Sequence, residues 1–218
     1  MVLFTTFILT VFTTLTIAVE VGLVLAVLLF LKRMSEALRV AKVLPDPSSK
    51  HKKVKAHMVT ESRNCPQISL YTIEGPLFFG TAGGFGRSIM DTMQQPPKVI
   101  LLRMGKVPLM DTSGEAKLAE LVRFIRESGG IVLVTGIQRQ ALEILKKSGT
   151  YSSIGEENFF EHTGEAIDNA LSRIDDNKCL GCKHYAFHEC QALSLGSKNR
   201  IQCKPAVMTN KPTAAFEG

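Results

Sequence analysis

The opening segment of this sequence lacks charge: between Met1 and Leu31 the only charged side chain is Glu20. About 18 consecutive apolar residues are enough to cross the roughly 30 Å hydrocarbon core of a bilayer. The segment also lacks a basic start and a small-residue cleavage site, which argues against a cleaved signal peptide. We therefore predict transmembrane structure within residues 1–34.

A single straight helix over this segment would be too long for the bilayer. A helix from Met1 to Leu31 would extend roughly 46 Å, well beyond the hydrocarbon core. We expect a break near Glu20-Val21-Gly22 that gives a short helical hairpin, with a single tilted helix as the alternative. Because a carboxylate facing lipid is costly, Glu20 is expected to face other helices, water or an interface.

The sequence also lacks the residue sets that are typical of enzymes. It shows no Ser/His/Asp constellation, no acidic pair and no nucleophile elbow, and His51, His57 and His162 have no obvious partners. The glycine-rich stretch Gly80–Gly86 matches neither the dinucleotide-binding fingerprint nor a phosphate-binding P-loop. We predict that the chain is not an enzyme.

What the sequence has instead is a basic connector after the apolar segment. The formal net charge of the chain is +6, and residues 32–55 account for all of it. Their charged residues are Lys32, Arg33, Arg39, Lys42, Lys50, Lys52, Lys53 and Lys55 against Glu36 and Asp46. The rest of the chain has no net positive charge, so its composition does not favour nucleic-acid binding. The positive-inside rule predicts that the connector and the following domain face the cytoplasm at the inner membrane, where anionic lipid is a further partner.

The rest of the chain alternates short β-rich runs with amphipathic helical windows, which is the pattern of an α/β domain. Residues 35–55 are predicted as a juxtamembrane connector, helical through Leu44 and a linker from Pro45. The domain is predicted over residues 56–176. Its expected strands are Ala56–Thr60, Ile68–Glu74, Lys98–Met104, Ile131–Thr135 and Asn158–Glu161. Its expected helices are Thr81–Met93, Thr112–Glu127, Gln138–Lys147 and Gly164–Ile174, with Thr81 as an N-cap and left-handed caps at Gly129-Gly130 and Gly149.

The tetrapeptide Asp111-Thr112-Ser113-Gly114 stands between the third predicted strand and the second predicted helix. Oxygen side chains of this kind cap the free amides of a helix start, and glycine lets another backbone approach closely. The tetrapeptide alone is weak evidence, since capped helix starts are common. In the order strand, motif, amphipathic helix and strand, it resembles the STAS domain of anti-sigma-factor antagonists and of the cytoplasmic tails of SulP transporters.

Two further segments resemble the transporter branch of that family. Gly75–Gly80 resembles the transporter version of the first helix start, and Leu15–Gly22 with Val24–Arg33 looks like the last membrane segments of SulP proteins. The resemblance implies an α/β STAS domain, with about five strands in a mixed sheet and four helices, after a transmembrane helix or short hairpin. It also implies a regulatory and interaction domain of a sulfate or other anion transporter. Such a chain would not transport alone, because the transport pathway would lie in membrane segments ahead of Met1.

The implied partner is the membrane core of the transporter, with a second copy of the chain or a regulatory protein as further candidates. A membrane-tethered signalling STAS protein is the alternative function. In the anti-sigma-antagonist branch the hydroxyl residue after the motif Asp is phosphorylated, which corresponds here to Thr112, with Ser113 beside it. Phosphate at a helix N-terminus is stabilised by the helix dipole and adds about −1.5 to −2 charges. Capping and packing alone is the other role open to both residues, and a shallow nucleotide site beside them also stays open.

Residues 177–218 hold four of the five cysteines of the chain, namely Cys179, Cys182, Cys190 and Cys203. In a reducing cytoplasm these are not expected to form structural disulfides. A Cys-x-x-Cys pair with further Cys ligands or His188 suits Zn²⁺, and four cysteines also suit an iron–sulfur cluster. The alternative is a set of reduced thiols in a partly disordered tail. Cys65 is interpreted as a loop or packing thiol, and no other cofactor is predicted.

Overall fold

The computed structural model describes residues 3, 4, 7, 15–35, 38–45, 54–55, 64–93, 95–184, 186–187 and 190–194. Within these residues an N-terminal helix precedes an α/β body and a short C-terminal segment. The helices are α1 (Leu15–Ser35), α2 (Phe79–Met90), α3 (Thr112–Glu127), α4 (Arg139–Ser148), α5 (Thr150–Ile154), α6 (Thr163–Ser172), α7 (Asp176–Cys179) and α8 (Cys190–Ser194). The strands are β1 (Arg39–Lys42), β2 (Leu44–Pro45), β3 (Val54–Lys55), β4 (Ile68–Glu74), β5 (Val99–Lys106), β6 (Ile131–Thr135) and β7 (Phe159–Phe160), the last preceded by a 3₁₀ turn at Glu156–Asn158.

Five of the strands form one mixed sheet in the order β1-β4-β5-β6-β7. β1 is antiparallel to β4, whereas the β4–β5, β5–β6 and β6–β7 pairs are parallel. The central strands are apolar runs with little alternation, because both of their faces are covered. The predicted α/β fold with a five-stranded mixed sheet is therefore confirmed.

The first strand of the sheet comes from a segment predicted to be helical. The helix ends at Ser35, and Arg39–Lys42 pairs with Tyr71–Glu74 on β4. Val43 and Leu44 follow directly and are buried. The prediction of helical structure through Leu44 is therefore wrong from Arg39 onward, because pairing and burial outweigh a local preference. The predicted strand Ala56–Thr60 lies outside the described residues.

The N-terminal helix α1 runs without interruption through Glu20-Val21-Gly22, so the predicted break is wrong and a single helix is observed there. α1 contacts α2, and two of its small residues, Ala18 and Gly22, are buried. The side chain of Glu20 is exposed. Among the residues that the structure describes, no helix is both long enough and apolar enough to cross a membrane.

The helix bounds follow the local signals closely, with one exception. α3 has the predicted bounds, and Gly129 and Gly149 adopt the expected left-handed conformation with φ of 77° and 84°. α2 begins at Phe79, two residues before the predicted cap, and Phe78 occupies the cap position. Thr81 lies inside the helix, where its hydroxyl accepts from Phe78 N at 3.0 Å and lies 2.9 Å from the Pro76 carbonyl oxygen.

The sheet has two differently covered faces. On the helix-covered face, Ile100, Leu102 and Val134 pack with buried side chains of α2, α3 and α4. On the tail-covered face, Leu101 and Leu133 pack with α6, with Val43 and Leu44, and with Cys65, Ala186 and Phe187. Three long helices therefore close one face, whereas one helix and several short segments close the other.

Candidate functional site

Asp111 joins two helix starts at the carboxyl end of the sheet. Its Oδ1 accepts from Gly114 N at 2.8 Å, which caps α3, and its Oδ2 accepts from Phe79 N at 3.0 Å in the first turn of α2. One carboxylate thus satisfies free amides of both helices and lies at their positive dipole ends. The motif aspartate therefore holds the two helices in a fixed relation to each other.

Gly114 allows the two segments to approach closely. Leu77 forms a bridge with Met110, and its carbonyl oxygen accepts from Asp111 N at 3.1 Å. A Cβ atom at Gly114 would lie only 2.2 Å from that carbonyl oxygen. Gln140 supports the same turn, because its side-chain amide accepts from Met110 N at 2.9 Å and donates to Met110 O at 2.7 Å. Glycine is therefore required at this position by a backbone contact.

Three exposed side chains surround this joint, and we call Phe79, Leu109 and Thr112 the helix-start surface. Phe79 is 82% exposed and Leu109 is 48% exposed, and Thr112 is also exposed, whereas Ser113 is half-buried. Large apolar groups at rigidly held turns suit contact with another protein surface. The hydroxyl of Thr112 lies at the first residue of α3, where the helix dipole favours an anion.

Behind the motif, a buried polar contact joins α3 to α5. Glu115 is only 9% exposed, and the hydroxyl of Thr150 donates to its Oε1. This pair could not be predicted from the sequence, because the two residues lie on different helices and belong to no motif. Its role in the structure is to fix the start of α3 against α5.

The structure brings three of the predicted tail cysteines together. Cys179, Cys182 and Cys190 line one small cavity beneath the tail-covered face. Cys65, interpreted from the sequence as a loop or packing thiol, lines the same cavity. His188 and Cys203, the other predicted ligands, lie outside the described residues. Sequence spacing gave no signal for Cys65, which precedes the tail by more than a hundred residues.

Gln67 attaches the tail to the start of β4. Its Oε1 accepts from Asp175 N at 2.9 Å, while its Nε2 lies 3.1 Å from Asp175 O and 3.3 Å from Cys179 Sγ. Gln67 is buried, so these contacts replace the water that its amide would otherwise bind. Asp175 and Cys179 are thereby attached to the segment that carries Cys65.

The four sulfur atoms interact with one another electrostatically. Burial first, and then the neighbouring Cys65, Cys190 and Cys182, raise the pKa of Cys179 to about 11. Burial is likewise the main cause of the raised pKa of Cys65 and of Cys190, with Cys182 contributing in both cases. All four are free cysteines, so the cluster contains no disulfide. A thiolate in this setting requires a compensating positive charge.

Residues 59–166 match the sequence model of the STAS domain family. The chain carries a STAS domain. The matched range contains Asp111–Gly114 and the helix-start surface, whereas Cys179, Cys182 and Cys190 lie beyond its C-terminal end. The resemblance inferred from the motif and its surroundings is therefore confirmed. The cysteine cluster combines one residue of the STAS domain, Cys65, with a segment that follows the domain.

Similar proteins connect this STAS domain with anion transporters. YvdB of Bacillus subtilis (strain 168), named as a candidate sulfate transporter, is 40% identical over 164 residues, which is 75% of this chain and 29% of YvdB. The chain thus spans less than a third of that relative's length. The crystal structure of a sulfate transporter family protein from Wolinella succinogenes is 31% identical, covering 58% of this chain and 96% of that one, with a TM-score of 0.45. The inward-facing structure of the murine anion transporter Slc26a9 is 17% identical and shares the fold, with a TM-score of 0.67 over 78% of this chain and 28% of that one.

Proposed function

We propose that this chain is the C-terminal part of a SulP-type anion transporter, in which the STAS domain binds the membrane core and regulates it. The similarity to YvdB carries this proposal. The aligned 164 residues are more than the matched range 59–166 contains, so the similarity extends outside the STAS domain. The chain by itself does not transport anions under this proposal, because the anion pathway belongs to membrane segments that the chain does not supply.

The proposal assigns residues 1–34 to the membrane. Support comes from α1, whose large apolar side chains are exposed on several sides, with Leu23 at 65% and Phe30 at 61% exposure. A helix that exposes apolar groups on several sides is not stable in water and requires lipid or other apolar helices around it. Lys32 and Arg33 in its last turn suit the cytoplasmic headgroup region. The STAS domain accordingly faces the cytoplasm.

The helix-start surface is the proposed contact with the membrane core. Phe79 is the first residue of α2, and α2 also contacts α1. One exposed apolar side chain of the helix-start surface, that of Phe79, therefore lies on a helix that contacts the proposed membrane segment, while Leu109 lies in the loop before α3. Through such a contact, a conformational change in the membrane core would reach the STAS domain, and a change in the STAS domain would reach the membrane core.

Membrane attachment is tested by fractionation of cells that express the full chain or a variant without residues 1–34. We expect the full chain to sediment with membranes and to resist extraction by alkaline carbonate, and the shortened variant to be released. A full chain that is recovered intact in the soluble fraction would contradict the proposal.

Docking is tested by co-expression with the tagged membrane part of YvdB. The double variant Phe79→Asp/Leu109→Asp should reduce co-purification of the chain at least about tenfold, because two charges would be buried at the contact. Phe124→Asp is the matched control, since Phe124 is a partly exposed aromatic residue elsewhere on the domain. Equal recovery of the two variants would remove the helix-start surface from the proposed contact.

A phosphorylation switch at Thr112 is the second candidate function, and the exposure of Thr112 at the start of α3 favours it. Phosphate there would add negative charge to the helix-start surface and would weaken an apolar contact. Phosphopeptide mapping of the native protein tests the idea. Full coverage of this peptide with Thr112 and Ser113 both unmodified would exclude the switch.

A further inference from the structure

The four-cysteine cluster has the ligand chemistry of a metal site. Cys179 and Cys182 form a Cys-x-x-Cys pair, the spacing that structural zinc sites use most often. Cys190 follows at the first residue of α8, and Cys65 comes from the loop before β4. Four thiols from two distant segments therefore line one cavity, together with His184. Sets of four cysteine thiolates are the ligands of many structural Zn²⁺ sites.

Groups that stabilise thiolates surround the sulfur atoms. Backbone N–H groups of Gln67 and Ile68 bond to Cys65, and Phe187 N lies 3.4 Å from Cys190 Sγ. The Gln67 side chain supplies a further donor to Cys179 Sγ at 3.3 Å. Hydrogen bonds of this type orient metal ligands and spread the charge of bound thiolates.

Two lysines provide charge complementarity. A zinc ion with four thiolates carries a net charge of −2. Lys178 lines the cavity, and the half-buried Lys42 interacts electrostatically with Cys65. Burial lowers the pKa of Lys42, and Cys65 opposes that shift. Two positive side chains beside the cluster would offset the charge of the filled site.

The size of the cavity favours a single ion. Its volume is about 20 Å³, which accommodates one water-sized particle but not a cluster of iron and sulfide ions. Among the described residues, no group of three or more His, Cys, Asp or Glu side chains is placed so that it could hold a metal ion. The thiol groups would therefore have to turn inward on binding, a movement that side-chain rotation permits.

We propose that Cys65, Cys179, Cys182 and Cys190 bind one Zn²⁺ ion, which fastens the C-terminal segment to the STAS domain. The inference is independent of the transport proposal, because it concerns only the folding of the segment that follows α6. It differs from the sequence prediction, because Cys65 replaces the two predicted ligands Cys203 and His188.

The first test uses the full chain, purified in detergent with a tag that contains no histidine. Elemental analysis should find about one zinc ion per chain. Alkylation followed by mass spectrometry should then modify Cys203 alone, and a chelator should make the other four cysteines reactive. Absence of zinc, or protection of Cys203 in place of Cys65, would overturn the proposal. Iron with acid-labile sulfide would overturn the assignment to zinc.

The second test compares matched serine variants of the same full chain. Cys65→Ser and Cys182→Ser should each lose most of the bound zinc, whereas Cys203→Ser should retain it. Cobalt substitution gives an independent measure, because the thiolate-to-cobalt absorption grows with the number of cysteine ligands. The spectrum should weaken in Cys182→Ser even if Cys65→Ser does not fold. Retention of zinc in Cys65→Ser together with its loss in Cys203→Ser would refute the ligand set.

Discussion

Both faces of the STAS sheet are covered by apolar side chains, but different elements supply them. Beneath the helix-covered face lie the long helices α2, α3 and α4, whose buried residues recur at helical spacing. Beneath the tail-covered face lie α6 and short segments that contain Cys65 and Phe187. Apolar burial stabilises both faces, and on the tail-covered face the polar contacts of Gln67 and, in our proposal, a metal ion also hold the covering segment in place. We therefore expect the segments on the tail-covered face to detach more easily than the helices on the other face.

The largest expected effect compares Leu101 and Leu102, which are adjacent on β5, fully buried and directed to opposite faces. Truncation of a buried leucine to alanine costs about 2–5 kcal/mol, and the cost is lower where the surroundings collapse into the cavity. We expect Leu102→Ala near the top of that range and Leu101→Ala near the bottom, because the short segments can move inward. Native-state hydrogen exchange of β6 amides measures the free energy of unfolding of each variant. Equal decreases in the two variants would contradict the difference between the faces.

A smaller and more local effect is expected for Gln67→Ala. The variant loses the contacts with Asp175 and Cys179 and should reduce the stability of the docked tail by about 1–3 kcal/mol. Hydrogen exchange should accelerate in residues 176–194 and remain unchanged in β5. Gln138→Ala is the control, since Gln138 makes an exposed contact with Gly105 O at 3.1 Å. Acceleration in β5 equal to that in the tail would show that the tail is not a separate unit.

The smallest expected effect concerns Asp111 on the helix-covered side. Asp111→Ala removes the acceptor of Gly114 N and Phe79 N and should cost about 0.5–2 kcal/mol, as lost helix caps do. Asp111→Asn keeps one acceptor oxygen and should cost less. Zinc content should be the same in both variants, because the joint and the cysteine cluster lie on different sides of the domain. Loss of zinc in Asp111→Ala would contradict the independence of the two regions.

Local features of the fold could be predicted because their causes lie within a few residues. The bounds of α3 follow from a capping Asp111 and from apolar residues at helical spacing, and Gly129 and Gly149 end their helices by adopting a left-handed conformation. The apolar runs of β4 and β5 could also be recognised, because central parallel strands are covered on both faces. The same reasoning located the helix-start motif.

Features that depend on distant contacts could not be predicted in this way. β1 has a sequence compatible with a helix and becomes a strand only because β4 offers a partner. Cys65 has no neighbouring cysteine in the sequence, and its place in the cluster depends on the contacts that Gln67 makes with Asp175. The Cys-x-x-Cys pair is therefore evident in the sequence, whereas Cys65, the proposed ligand from the STAS domain, is not.

The central claim, a STAS domain held at the cytoplasmic side of a membrane by residues 1–34, is tested most directly by protease protection of an epitope tag placed after Gly218. In inverted inner-membrane vesicles the tag should be digested, and in intact spheroplasts it should survive until detergent is added. Digestion of the tag in intact spheroplasts would contradict the claim.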